Sequence, residues 1–171
     1  LAEPELPTAD PITVTGNVRY FHEDSGDLGE FVPASNVMIS VHSYVGDDAT
    51  GVAWGQTDAN GDFSLDITPG MFYPLFEPDI IVVFYASNSV CMVDSRDDWQ
   101  GGSTYSFMSD LYEEVSPGST LDVGYLSPND TRGNKAMHIM ETVRRAHEYY
   151  DLVVGFDAPK MYVAWPKEDD S

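Results

Sequence analysis

The stretch TDANGDFSL, residues 57–65, decides how the first part of this sequence is interpreted. Asp58, Asn60 and Asp62 carry the oxygen atoms that calcium prefers, but an EF-hand loop starting at Asp58 would need glycine sixth and glutamate twelfth. Here glycine stands fourth and proline twelfth. Asn-Gly between two apolar runs is the signal of a tight hairpin turn, and this interpretation is preferred. The alternative is a calcium site at these three side chains, completed by an acidic loop such as residues 46–48.

Short strand-like runs surround this turn. NVMISVHSYV alternates, so that one face collects Val37, Ile39, Val41 and Ser43. IIVVFYA, residues 80–86, is apolar throughout and predicts a strand buried on both faces. Repeated runs of this kind, separated by Gly, Pro and Asn, predict a mainly β protein with an antiparallel β-sandwich over residues 12–126. The proline- and acid-rich residues 1–11 predict an extended N-terminal tail.

The pattern changes after residue 126. A linker leads to NKAMHIMETVRRAHEYYD, which predicts an amphipathic helix over about residues 134–151. The residues expected on its core-facing side are Ala136, Ile139, Met140, Val143, Ala146 and Tyr150. A final strand is predicted at about residues 161–165. The sequence leaves open whether this helix packs on the sandwich or begins another unit.

Charge and cysteine content limit the function. The 171 residues carry a net charge of −21, and residues 1–131 contain only two basic side chains, Arg19 and Arg96. Such a field repels phosphate, which excludes nucleic acid as a partner. No apolar run is long enough to insert into a membrane. The single cysteine, Cys91, excludes an internal disulfide and predicts a buried thiol.

GNVRY, VPASNVMISVHS and TDANGDFSLDITPG together resemble the carboxypeptidase-regulatory-like, transthyretin-like and Cna-B-like modules of secreted and surface proteins. The resemblance implies an Ig-like or transthyretin-like sandwich that serves as a stalk, spacer or accessory domain. It also implies an extracellular or cell-surface location. Some Cna-B-like modules form a Lys–Asn isopeptide bond, but residues 1–131 contain no lysine, so none can form within this sandwich.

A second, shorter resemblance covers AMHIMETVRRAHEYYDLVVGFDAPKMYVAWP. It is similar to the segment that precedes the catalytic core in secreted thermolysin-like metallopeptidases. HEYYD, residues 147–151, lacks the second histidine of His-Glu-x-x-His, and His138 falls on the opposite side of the helix. No catalytic residue and no cofactor other than calcium is therefore predicted.

These observations predict a non-catalytic extracellular structural or accessory module. Its partners would be proteins or copies of itself, joined in a surface assembly or filament by strand addition of the tail. One alternative is the N-terminal accessory part of a secreted zinc metallopeptidase. Another is a carbohydrate-binding module with exposed rings that include Trp99 and Tyr105. Asn129, in Asn-Asp-Thr, is a candidate glycosylation site.

Overall fold

The computed structural model describes residues 10–22, 29–68, 77–95, 103–155 and 158–165. The Pro69-Gly70 dipeptide predicts a turn. It lies outside these residues, as does most of the predicted N-terminal tail. In chain order the elements are β1 (Ile12–His22), β2 (Glu30–Pro33), β3 (Met38–Val45), β4 (Asp48–Gln56), β5 (Asp62–Ile67), β6 (Asp79–Tyr85), β7 (Cys91–Asp94), β8 (Ser106–Met108), β9 (Thr120–Leu126), α1 (Thr131–Val154) and β10 (Met161–Ala164).

Two sheets form the sandwich. One has the order β2-β1-β5, with β9 also paired to β1, and the other has the order β4-β3-β6-β8. The predicted mainly β sandwich with one helix and a late strand is confirmed. It is not wholly antiparallel, because β9 pairs parallel with β1 and β10 pairs parallel with β7. Alternation along one strand carries no information about the direction of its neighbour, so this could not be predicted.

Alternation within strands behaves as expected in β3 and differently in β6. Val37, Ile39, Val41 and Ser43 are all buried, as predicted. In β6, however, only Ile80, Val82 and Phe84 are buried, while Ile81, Val83 and Tyr85 are half-exposed on the outer face. The prediction that this strand is buried on both faces is wrong. Apolar side chains therefore lie on the outside of the second sheet.

Helix α1 is longer than predicted at both ends. Asp130 caps its start, where a carboxylate oxygen accepts a hydrogen bond from the Gly133 amide, and Gly155 ends it at φ 65°. Its buried residues are Gly133, Ala136, Met137, Met140 and Glu141. Ala146 and Tyr150 are exposed, so the predicted core-facing side is wrong at its C-terminal end. The apolar residues of the helix pack on the core as far as Val143, and the regular spacing of apolar residues did not reveal that this packing ends there.

The first half of α1 is an integral part of the sandwich. The side-chain oxygen of Asn134 accepts a hydrogen bond from the Phe21 amide at 2.6 Å, which satisfies an edge donor of β1. The absence of a side chain at Gly133 allows close packing, since a Cβ there would lie 2.4 Å from a ring atom of Phe107. The question left open by the sequence is thus answered: the helix packs on the sandwich.

A buried carboxylate anchors this contact. Glu141 is 3% exposed, and it accepts hydrogen bonds from Arg144 at 2.8 and 2.6 Å and from Arg145 at 3.1 Å. Ser35, in the turn before β3, donates a longer hydrogen bond to the same carboxylate at 3.3 Å. Arg144 also pairs with the exposed Glu148. The spacing predicts these pairs along the helix surface, but Glu141 lies inside the interface.

Candidate functional site

The turn after β4 is held together by hydrogen bonds to the side chain of its first residue, Asp58. One carboxylate oxygen of Asp58 accepts hydrogen bonds from the amides of Asn60 at 2.8 Å and Asp62 at 2.9 Å. Gly61 adopts φ 81°, which favours glycine. The Asp62 carboxylate accepts a hydrogen bond from the side chain of Asn17 at 2.8 Å. Oxygen atoms that a calcium ion would use are thus bonded to protein donors.

This turn is not a hairpin. It joins β4, in one sheet, to β5, in the other, and the two strands do not pair with each other. Of the non-glycine residues described, only Asn36 and Glu114 have positive φ, so Asn60 does not adopt the conformation that a type I′ turn requires. Asn-Gly marks a tight turn both in a hairpin and in a connection between two sheets. Whether the turn is a hairpin depends on whether the strands on either side of it pair with each other.

The acidic loop at residues 46–48 is far from the turn. It lies at the start of β4, whose first residue is Asp48, whereas Asp58 follows β4, and nine strand residues span about 30 Å. The loop therefore does not complete the alternative calcium site at Asp58, Asn60 and Asp62, and calcium binding by these three side chains stays an alternative prediction. Across the described ranges, no group of three or more His, Cys, Asp and Glu side chains is arranged to hold a metal ion.

Thr57 explains why two of the quoted motifs occur together. Its hydroxyl donates to the Ala34 carbonyl at 2.7 Å and accepts from the Val37 amide at 2.9 Å. Its own amide donates to the Val37 carbonyl at 3.0 Å. The side chain is buried, so these bonds replace water for two main-chain groups. The VPASN and TDANGDF segments are thus parts of one structural unit.

The histidines of α1 have structural contacts. His147 is hydrogen-bonded to the Ala158 carbonyl at 2.8 Å. His138, on the other side of the helix, lies with its ring centroid 4.5 Å from that of His22. Asp151 is exposed in the last turn.

The remaining candidates are the aromatic residues Trp99 and Tyr105, considered for carbohydrate binding, and Asn129, considered for glycosylation. Tyr105 is 7% exposed and donates its hydroxyl hydrogen to the Trp165 carbonyl at 2.8 Å, so its ring cannot form part of a binding surface. Trp99 lies outside the described residues. Asn129 is exposed immediately before the helix cap, and its glycosylation stays a prediction.

The outer side of the second sheet carries the aromatic surface that sequence reasoning missed. We call it the aromatic face and define it by Trp54 on β4, His42 and Tyr44 on β3, and Tyr85 on β6. Trp54 is 58% exposed, and its ring lies 5.9 Å from that of Tyr85 at an angle of 22°. The run VAWGQT alternates large and small side chains, but this pattern alone does not show that Trp54 lies on the outward side of an edge strand.

A small hydrogen-bonded cluster lies at the centre of the aromatic face. The Ser40 hydroxyl lies 2.8 Å from Nε2 of His42 and 3.0 Å from the hydroxyl of Tyr85. Ser40 itself is fully buried. Burial also lowers the pKa of His42, which favours its neutral form. Because Ser40 is inaccessible, the Ser–His pair orients the surrounding rings and does not present a nucleophile.

A second unusual surface is the C-terminal part of α1, residues 148–155, which we call the projecting end. All of its residues are exposed. They include Tyr149, Tyr150, Leu152, Val153 and Val154, with Leu152 86% exposed. Taking about 200 Å² for a tyrosine, its two tyrosines alone present roughly 200–250 Å². Three exposed aliphatic side chains, those of Leu152, Val153 and Val154, add to this apolar surface.

The thiol of Cys91 is expected to be unreactive in the folded protein. The residue is fully buried, and burial raises its pKa to about 11 although Lys160 acts in the opposite direction. A thiol reagent at mildly alkaline pH should modify it only after urea is added. Since the folded pKa lies above the reference value of 9.0, stability should fall as pH rises between these values. Rapid native labelling would contradict this.

Comparisons with known proteins do not assign a family. No family model matches the chain, and no curated protein matches it. Among solved structures, a 9R-lipoxygenase from Cyanothece is 19% identical with a TM-score of 0.38, over 75% of this chain and 18% of its own. The plantain pollen allergen Pla l 1 is 15% identical with a TM-score of 0.40, over 68% of this chain and 91% of its own.

An (S)-allantoin synthase is 16% identical with a TM-score of 0.35, over 71% of this chain and 42% of its own. Likenesses this distant carry no argument about function. No helix within the described ranges is both long and apolar enough to span a membrane.

Proposed function

We propose that this chain is a non-catalytic structural or accessory module of an extracellular assembly, and that it contacts further copies of itself through the projecting end of α1. The observation that carries the proposal is the exposure of Tyr149, Leu152 and Val153 on a helix whose first half is firmly anchored. A rigid helix that presents apolar side chains to water is stabilised when a partner covers them.

The charge distribution supports self-association at this end. Residues 1–131 hold 22 acidic and two basic side chains, whereas residues 132–171 hold seven acidic and six basic ones. Two copies that meet through their acidic regions would repel each other, but copies that meet through the nearly neutral C-terminal region would repel each other less. Strand β10 adds the exposed Tyr162 to this region.

Strand addition between neighbouring copies is the specific mechanism of assembly that we propose. Among the described residues, β10 pairs only with β7, and an edge of this kind can accept a further strand. The tail at residues 1–11, which its sequence predicts to be extended, would add to an edge of a neighbouring copy. The acidic surface, the candidate sequon at Asn129 and the resemblance to surface modules support an extracellular location.

Replacement of Leu152 by glutamate is expected to weaken self-association by about tenfold or more, because it places a charge at the centre of the apolar contact. Sedimentation velocity over a wide concentration range measures this. Met108→Glu is the matched control, since Met108 is 71% exposed and lies on β8, outside the projecting end. Equal effects of the two substitutions would contradict the assigned surface.

Deletion of residues 1–11 tests whether strand addition by the tail contributes to assembly. If strand addition contributes, the truncated chain should form smaller assemblies than the full chain, as seen by negative-stain microscopy and light scattering. A full chain that stays monomeric at high concentration, and is unchanged by the deletion, would overturn the proposed function.

A further inference from the structure

We propose that the aromatic face is a binding site for a neutral saccharide, with the exposed Trp54 ring, supported by Tyr85, as the stacking platform. This site lies on the outer side of the β4-β3-β6-β8 sheet. It is separate from the projecting end, and the inference does not depend on self-association.

Strand register creates the platform. Ser40 on β3 is opposite Trp54 on β4 and opposite Val83 on β6. Because the serine side chain is small, the rings of Trp54 and Tyr85 can lean over it from either side and approach to 5.9 Å. Their planes differ by only 22°, so the two rings stack on each other, and the Trp54 ring, 58% exposed, presents the apolar surface on which a ring-shaped ligand can stack.

Hydrogen bonds hold the platform in place before any ligand arrives. The Tyr85 hydroxyl is tied to Ser40, and Ser40 is tied to His42, whose ring meets that of Trp54 edge-on at 6.5 Å. A fixed arrangement loses little conformational entropy on binding. The Tyr85 hydroxyl and the His42 imidazole also place polar groups beside the rings, as a ligand with both apolar faces and hydroxyl groups requires.

Charge excludes anionic ligands from this face. The part of the chain that forms this sheet belongs to residues 1–131, with a net charge of −20 from 22 acidic and two basic residues. Anionic glycans, nucleotides and acidic peptides would be repelled. A neutral sugar ring has carbon–hydrogen faces that stack on the rings and hydroxyl groups that pair with polar side chains. A neutral sugar therefore fits the exposed ring surface and is not repelled by the acidic charge around it.

The test is titration calorimetry of the full chain with neutral oligosaccharides, namely the hexaoses of cellulose, xylan, mannan, chitin and starch, with heparin as the anionic probe. We expect saturable binding of at least one neutral hexaose and no binding of heparin. Trp54→Ala should weaken the binding by about 5- to 150-fold, the equivalent of the 1–3 kcal/mol that one stacked ring contributes.

Tyr125→Ala is the matched control, because Tyr125 is an aromatic residue that is 68% exposed on the first sheet. It should bind sugar like the unchanged chain, and thermal unfolding should show that both variants are folded. The inference is overturned if no neutral hexaose binds, or if Trp54→Ala binds as well as the control. It is also overturned if Trp54→Ala alters self-association instead, which would mark a protein contact.

The experiments distinguish failure of the proposed self-association from failure of the proposed saccharide site. Leu152→Glu should keep full sugar binding, and Trp54→Ala should keep normal self-association. A chain that binds sugar as a monomer would remove the proposed assembly and leave the saccharide site intact.

Discussion

Glu141→Ala is expected to lower the free energy of unfolding by about 3–5 kcal/mol, the range for breaking a buried ion pair from one side. The Glu141 side chain is 4% exposed and that of Arg144 is 14% exposed. Without the carboxylate, the guanidinium stays largely desolvated and loses two hydrogen bonds. Ser35, on the sandwich, also loses the helix carboxylate to which its hydroxyl donates. Chemical denaturation with urea measures the change.

Glu148→Ala is the matched control. Glu148 pairs with the same Arg144 on the same helix, but its side chain is 61% exposed. Water replaces such a partner readily, so the expected loss is below about 1 kcal/mol. Similar losses for the two variants would show that burial of Glu141 does not determine the strength of the helix anchor.

Acid should remove the same contribution. Burial by itself raises the pKa of Glu141, but the hydrogen bonds and charges of Arg144 and Arg145 outweigh burial and hold the pKa below its usual value of 4.5. A lowered folded pKa means that the stabilisation is complete above the unfolded pKa and is lost as pH falls through the folded one. The stability difference between the unchanged chain and Glu141→Gln should therefore shrink in acid.

Much of the sandwich could be predicted because alternation is a local property of a strand. The inward face of β3, with Val37, Ile39 and Val41, follows directly from its sequence. The pairing of β1 with β9 could not be predicted in this way, since it joins residues about a hundred positions apart. The same limit applies to the separation of β4 and β5, because turn residues specify a bend and not the sheet that follows.

The two candidate surfaces escaped prediction for different reasons. Trp54 lies in a run that alternates too weakly to show which face is inward, and only the position of β4 at a sheet edge reveals that its ring is exposed. On α1, apolar spacing continues to Tyr150, but the sandwich ends earlier. A helix that is amphipathic over its whole length does not reveal how much of that length has a partner.

Gly61→Ala is expected to destabilise the protein by roughly 3 kcal/mol or more, of which a non-glycine residue at positive φ accounts for about 1–2 kcal/mol. The rest comes from packing. A Cβ at position 61 would lie 2.4 Å from the Val18 carbonyl oxygen, and this atom already accepts a hydrogen bond from the Ala34 amide. Relief of the clash requires β1 or the turn to move.

Gly124→Ala separates the two terms. Gly124 has φ 67°, but an added Cβ there meets no heavy atom within 4 Å, so only the conformational term of about 1–2 kcal/mol should appear. Urea denaturation of both variants gives the difference. A large excess for Gly61→Ala would show that the glycine in TDANGDFSL is required by close packing against β1. Equal losses would mean that β1 adjusts freely, and that the bonds of Asp58 and Thr57 suffice to hold the two sheets together at this turn.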